Sequence, residues 1–294
     1  MNPAAGTPPR VLVTGGSGSV GSVVCAGLPA AVWTVRQIDL RPPTNEPQGP
    51  GESVVGDVFD PATLRRAVDG CTAVVHLAAI PGEAPIADIA ASHVVGTALV
   101  LEAARRAGIE RFVFASSNHA AGFTPRGDFS GGNTVGTDVR PRPDTFYGVG
   151  KVAGEALCSL YADRYAMRTA CVRIGTFRER PVTRRHLSTW LSPGDLVRMV
   201  DACLQAPDLS YAVVWGISAN TRRWWDLAPG QALGYQPQDD AEAYAAMIGP
   251  DEPADGGGAA AEDDPADPDF AYLGGAFTQP PLPQPVWDGP GGGR

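Results

Sequence analysis

Tyr147 and Lys151 stand four residues apart in Tyr147-Gly148-Val149-Gly150-Lys151, and Lys151 is the sole lysine of a 294-residue chain whose 22 other basic side chains are arginine. An ammonium is a compact charge with three rotatable donors, which a broad planar guanidinium cannot imitate. On a helix, residues i and i+4 share a face, so this spacing lets the ammonium sit beside the phenol oxygen. A cation there favours phenolate and draws a tyrosine down from its usual pKa of about 10, as general-base chemistry requires.

A second group of residues suits phosphate binding. Val11-Leu12-Val13-Thr14 leads into Gly15-Gly16-Ser17-Gly18-Ser19-Val20-Gly21, a pattern of strand, glycine-rich turn and helix. Gly15 allows the tight turn, Gly18 lets a pyrophosphate approach the backbone, and Gly21 lets the helix pack on the strand. The N–H groups at the helix start, around Ser19 and Val20, are then free to bind phosphates. The next apolar run, Val32 to Ile38, ends in Asp39, 18 residues beyond Gly21. A carboxylate there accepts both ribose hydroxyls and repels a 2′-phosphate, which favours NAD over NADP. Arg36 and Arg41 weaken that preference without reversing it. Further along, Asp57 and Val58 fall where an adenine edge would be met, although Asp57 reads equally well as a turn or cap residue. Leu77, Ala78 and Ala79 close a fourth strand with small side chains that leave room for a ligand.

The densest polar cluster of the first half is Ser116-Ser117-Asn118-His119, at the carboxyl end of a fifth strand, Arg111 to Ala115. From that position Ser117 can donate to an oxygen that Tyr147 also touches, and Asn118 and His119 can bind substrate hydroxyls. These groups must be positioned by alternating strands and helices, which imply a parallel sheet covered on both faces. The expected fold class is therefore α/β, a Rossmann-type doubly wound sheet. Residues 1–174 form the dinucleotide-binding core with the Tyr147–Lys151 helix, and 175–248 a small substrate-facing portion. Residues 249–294 form an acidic, Pro/Gly-rich tail with a docking segment near 270–277. Trp224 and Trp225 read as packing residues.

Composition narrows the class. Five widely spaced cysteines without a C-x-x-C pair read as reduced core thiols, not as disulfides or metal ligands. With no signal peptide and no recognisable membrane span, the expected location is the cytoplasm, without membrane partners. The net charge is −9, but residues 251–294 hold nine acids and one arginine, leaving −1 for the rest. Without a basic stripe, nucleic acid is excluded as a partner.

The combination Thr14-Gly15-x-x-Gly18-x-x-Gly21, Asp39, Ser117 and Tyr147-x-x-x-Lys151 resembles the extended branch of the short-chain dehydrogenase/reductase superfamily. Phe114 to His119, Arg185 to Ser192, Ser218-Ala219-Asn220 with Trp224-Trp225-Asp226, and Gly274 to Phe277 resemble bacterial uronate dehydrogenases. The resemblance implies oxidation of the C1 hydroxyl of a cyclic hexuronate by NAD to an aldarolactone. Ser117, Tyr147 and Lys151 would be catalytic, with Tyr147 and Lys151 also touching the cofactor. Arg185 would hold the substrate carboxylate, a role suited to a guanidinium's two parallel charge-assisted bonds. The implied partner is a small sugar acid, and a homo-oligomer is implied by the family alone. Two other readings stay open, a nucleotide-sugar epimerase or dehydratase of the same superfamily and a catalytically silent NAD-binding regulatory protein.

Three positions depart from the family pattern. His93 stands where an asparagine usually precedes V-x-G-T and helps organise water near the lysine. Pro81 replaces a serine that touches substrate. Gly150 replaces the serine before the lysine, at a helix cost of about 1 kcal/mol relative to alanine.

Overall fold

Apolar runs that are buried on both sides read as continuous rather than alternating hydrophobic strands, and such runs build parallel sheets. In the computed structural model, which describes residues 8–43, 52–129, 133–248 and 268–279, they do so here. The strands are β1 (Arg10–Thr14), β2 (Thr34–Asp39), β3 (Glu52–Val55), β4 (Ala73–His76), β5 (Arg111–Ser117) and β6 (Arg168–Ile174). Two short strands, β7 (Thr176–Phe177) and β8 (Trp190–Leu191), pair with each other, and β9 (Tyr211–Gly216) completes the main sheet. Its order is β3-β2-β1-β4-β5-β6-β9, parallel throughout. The order reverses between β1 and β4, where Thr14 lies in register with His76. Chain connections leave to opposite sides at such a point and open a crevice at the strand ends.

The helices are α1 (Ser19–Gly27), α2 (Pro61–Val68), α3 (Ile86–Ile89), α4 (Gly96–Arg106), α5 (Phe146–Tyr165), α6 (His186–Thr189), α7 (Pro193–Gln205), α8 (Ala228–Ala232) and α9 (Pro268–Ala271). Alternate residues of each strand face opposite cores. Val11 and Val13 of β1 join Val24, Leu196 and Met199 on one face, while Leu12 joins Val100, Leu101 and Phe112 on the other. Trp224 and Trp225 are buried, and Trp225 stacks on Trp215 with centroids 5.0 Å apart, so the pair packs the core as its composition suggests.

Two details depart from the sequence expectation. Strand β5 runs through Ser116 and Ser117 instead of ending at Ala115, so Ser117 is fixed by the sheet. The small apolar residues from about Ile86 to Ala107 read as one helix, but they form three pieces, with a π-helical turn at Ala90–Val95 between α3 and α4. This 21-residue stretch, Ile86–Arg106, is long and apolar enough to cross a membrane by length and composition, contrary to the expectation that no such run exists. Its apolar stripe instead faces the second core, where Val100, Leu101 and Ala104 are buried. The acidic stretch 249–267 and the end 280–294, expected as a tail, lie outside the described residues.

Candidate active site

The glycine turn takes the shape its spacing suggests. Gly15 has φ +71°, and a Cβ there would lie 2.8 Å from the Ala78 nitrogen. A Cβ at Gly21 would lie 2.1 Å from the Gly15 carbonyl oxygen, so α1 packs on the turn only without a side chain. Asp39 holds the turn's outer edge, its carboxylate accepting from the Ser17 and Arg41 N–H groups, each at 3.0 Å. Thr14 ties the two strands at the reversal. Its hydroxyl accepts from the Leu77 and Ala78 N–H groups at 3.2 and 3.1 Å, so its own proton goes to His76 Nδ1 at 2.7 Å. His76 Nε2 then donates to Thr97 at 3.1 Å, and burial pushes the imidazole pKa down to about 3, fixing it neutral.

A cleft of about 800 Å³ runs along the strand ends. The expected cofactor residues Gly15, Gly18, Ser19, Val20, Gly21 and Asp39 line one end. Asp57 and Val58 join them, and Asp57 is also a turn residue, accepting from the Phe59 N–H at 2.9 Å while Asp60 caps α2. Leu77, Ala78 and Ala79 line the middle, and Ser117, Tyr147 and Lys151 the other end. The dimensions and glycine contacts suit an extended dinucleotide, with pyrophosphate at the start of α1 and the adenosine ribose at Asp39.

At the inner end, Lys151 donates to the Ala115 carbonyl at 2.7 Å and lies 5.2 Å from the centre of the Tyr147 ring. Electrostatics here differ from the sequence expectation. Burial pushes Tyr147 up to about 12, against a hydrogen bond with Ser117 that pulls the other way. Burial also pulls Lys151 down to about 7. Desolvation disfavours both charged forms, and the Ser117 hydrogen bond only partly offsets it at the phenol. Ser117 additionally caps the turn after β5, accepting from the His119 N–H at 3.3 Å.

Asn118, His119 and Arg185, the other expected sugar-binding residues, do not line this cleft wall. Asn118 and His119 follow Ser117 at its end, and Arg185 meets them through a distant part of the chain. The Asn118 amide donates to the Leu273 carbonyl at 3.2 Å, and Arg185 donates to the same carbonyl, to that of Asp269 and, at 3.4 Å, to that of Tyr272. Those three bonds use two Nη1 hydrogens and one Nη2 hydrogen. The Nε–H and one Nη2–H remain, from the five donors of a guanidinium. Desolvation pulls the Arg185 pKa to about 10, against the attraction of Asp269 and Asp144. His119 donates Nδ1–H to Asp144 at 2.8 Å, which leaves Nε2 without a protein partner among the described residues. Its ring stands edge-on to Tyr147 at 5.9 Å and 4.5 Å from Phe277. The segment expected to dock near 270–277 is thus packed on Asn118, His119 and Arg185.

The departures find physical reasons. A Cβ at Gly150 would lie 2.8 Å from His93 Cβ, so glycine admits the histidine. His93 Nε2 donates to the Ile80 carbonyl at 3.0 Å, and burial lowers its pKa to about 4. Pro81 lines the cleft without a donor. Sequence reading missed Asp144 and Glu83. Glu83 accepts from the Phe146 and Tyr147 N–H groups at 3.0 and 2.8 Å. One signal existed, since Glu83 is the lone charged side chain between Asp69 and Asp88.

These features define a dinucleotide-dependent enzyme of the short-chain dehydrogenase type. Residues 11–178 match the NAD dependent epimerase/dehydratase family, and the chain belongs to it. A uronate dehydrogenase of Agrobacterium fabrum is 39% identical over 93% of this chain and 98% of its own. One of Pseudomonas syringae is 35% identical over 92% and 93%. Among solved structures, a mutant uronate dehydrogenase from Agrobacterium tumefaciens, complexed with NAD, superposes with a TM-score of 0.80 at 38% identity, covering 93% of this chain and 98% of the other.

Proposed function

We propose that this protein oxidises the C1 hydroxyl of a cyclic hexuronate, galacturonate or glucuronate, to an aldarolactone with NAD. The observation that carries this reading is one continuous cleft with a glycine cradle and Asp39 at one end and Ser117, Tyr147 and Lys151 at the other. Bound NAD supplies the acceptor for the hydride that leaves C1. Gly15, Gly18, Gly21, Ser19 and Val20 hold its pyrophosphate, Asp39 its ribose, Asp57 and Val58 its adenine edge, and Leu77 to Ala79 the inner part of the groove.

Tyr147 removes the C1 hydroxyl proton, and Ser117 donates to the same oxygen as its charge develops. Lys151 makes this feasible in a buried site. With the phenol at about 12 and the ammonium at about 7, both groups are mostly neutral above neutral pH. A phenol proton moving toward Lys151 creates an attractive ion pair, which offsets part of the two desolvation penalties. Asn118 and the free Nε2 of His119 bind sugar hydroxyls. The uncommitted donors of Arg185 take the carboxylate, which suits the two parallel charge-assisted bonds a guanidinium offers. Residues 175–248 act as the substrate-facing portion, joined by the segment 268–279. We place the enzyme in the cytoplasm, where five buried free thiols stay reduced.

The test is NADH formation from NAD with galacturonate, glucuronate, galactose, glucose and UDP-glucuronate in parallel. Turnover of the free uronates is expected. Turnover of UDP-glucuronate alone, or NAD binding without turnover of any sugar, would overturn the reading in favour of an epimerase-like or a silent NAD-binding protein.

A further inference from the structure

The N-terminus of a helix leaves its first N–H groups without intrahelical partners. In α5 these belong to Phe146, Tyr147 and Gly148. Gly148 is satisfied locally by the hydroxyl of Thr145 at 3.0 Å. The other two, one of them the N–H of Tyr147 itself, reach across 63 and 64 residues to the two oxygens of Glu83, at 3.0 and 2.8 Å. Each carboxylate oxygen serves one donor, and the helix that carries the base begins on this side chain.

Glu83 sits on the loop between β4 and α3 whose earlier residues, Ala79, Ile80 and Pro81, line the cleft. That loop is held at its other end too. The Ile80 N–H donates to the Ser92 hydroxyl at 3.1 Å, and its carbonyl accepts from His93 Nε2 at 3.0 Å. His93 in turn stands edge-on to the Tyr147 ring at 5.3 Å. The cleft-lining loop is therefore tied to Tyr147 twice, directly at its backbone through Glu83 and indirectly at its ring through His93, which holds the Ile80 carbonyl.

We propose that Glu83 is a positioning residue for Tyr147, fixing the start of α5 relative to the cleft-lining loop and biasing the phenol toward its neutral form. The proposal rests on the reading of Tyr147 as the base. A carboxylate beside the N-terminus of α5 offsets the positive end of the helix dipole, which would otherwise favour phenolate. The titratable groups facing Tyr147 are Lys151 on its own helix, His93 on the π-helical turn, His119 with its partner Asp144 after β5, and Glu83 on the loop. Of these, Glu83 touches the tyrosine's own backbone.

The experiment compares Glu83→Gln and Glu83→Asp with the parent chain, by kinetics with NAD and galacturonate and by ultraviolet titration of the phenolate with Tyr147→Phe as the subtraction. Gln keeps one acceptor and removes the charge, whereas Asp keeps the charge on a side chain one methylene shorter. In both variants kcat is expected to fall roughly tenfold with NAD affinity retained, as displaced catalytic groups cost. Tyr147 should ionise at lower pH in Glu83→Gln, while in Glu83→Asp the titration stays near that of the parent. A purely structural role would lower the melting temperature and leave the titration in place. An unmoved Tyr147 titration in Glu83→Gln, or kcat within twofold of the parent in both variants, would overturn the proposal. The phenolate titration needs no substrate, so it judges Glu83 even if uronates are not turned over, an outcome that counts against the proposed function instead.

Discussion

The two ends of the cleft are built in different ways. At the cofactor end the glycine turn closes over few residues, as in the Ser17 to Asp39 bond across 22 residues, and Thr14 ties it to the neighbouring strand end by a bond from the Ala78 N–H, 64 residues on. At the sugar end the bonds span 64 residues from Glu83 to Tyr147, 88 from Arg185 to Leu273 and 155 from Asn118 to Leu273. One end is a turn set by its glycines and anchored on the neighbouring parallel strand. The other exists only once distant elements have folded onto it. A fold of this kind can keep its cofactor chemistry constant while the sugar end changes with substitutions far apart in sequence.

The sharpest way to separate the two ends is Tyr147→Phe. Loss of the base should lower kcat by about 10³, within the range of general acid–base contributions, while NAD affinity measured by calorimetry stays within a few fold. An equal loss of NAD binding would show that the ends are not separable. The reverse experiment is Gly21→Ala, because a Cβ 2.1 Å from the Gly15 oxygen forces the glycine turn off α1. NAD affinity should drop roughly 10-fold or more, as a strain of about 1–3 kcal/mol implies, with the phenolate titration of Tyr147 unaltered. Unchanged NAD affinity would contradict the role given to the cradle.

A smaller effect concerns the seam between the ends, where His76 and His93 are held neutral with pKa values of about 3 and 4 against an ordinary 6.5. Because the folded values lie below the unfolded one, the native state binds fewer protons between about pH 4 and 6.5. Their stabilisation is complete above pH 6.5 and is lost as pH falls toward 4, by roughly 2 kcal/mol per histidine at pH 5. Melting temperature should therefore decline between pH 7 and 5, and His93→Gln should flatten the decline. An equally steep decline in that variant would rule out His93 as a contributor.

The same contrast explains what could be read from the sequence. The strands, the glycine turn, Asp39 and the Tyr147–Lys151 helix are local patterns of period and spacing, and they stand where such patterns place them. Ser117 was legible as a strand-end polar residue, although its last turn of strand was not, because propensity gives little weight to a serine pair in a sheet. Glu83 and Asp144 left almost no local trace, since what matters about each is a partner dozens of residues away. The opposite titration of Tyr147 and Lys151 was also out of reach, because burial is a property of the packed molecule. Gly150 looked like a helix defect and turns out to be the space into which His93 fits.

The most direct test of the division is the ratio of kcat/KM for galacturonate to that for galactose, measured in the parent chain and in Arg185→Ala, with NAD affinity recorded alongside. A charge-assisted pair contributes about 1.5–3 kcal/mol, so the parent should prefer the acid and the variant should lose roughly 10- to 100-fold of that preference through KM, with NAD affinity intact. A preference for the acid that survives Arg185→Ala unchanged would contradict the carboxylate role of Arg185 and the separation of the two ends.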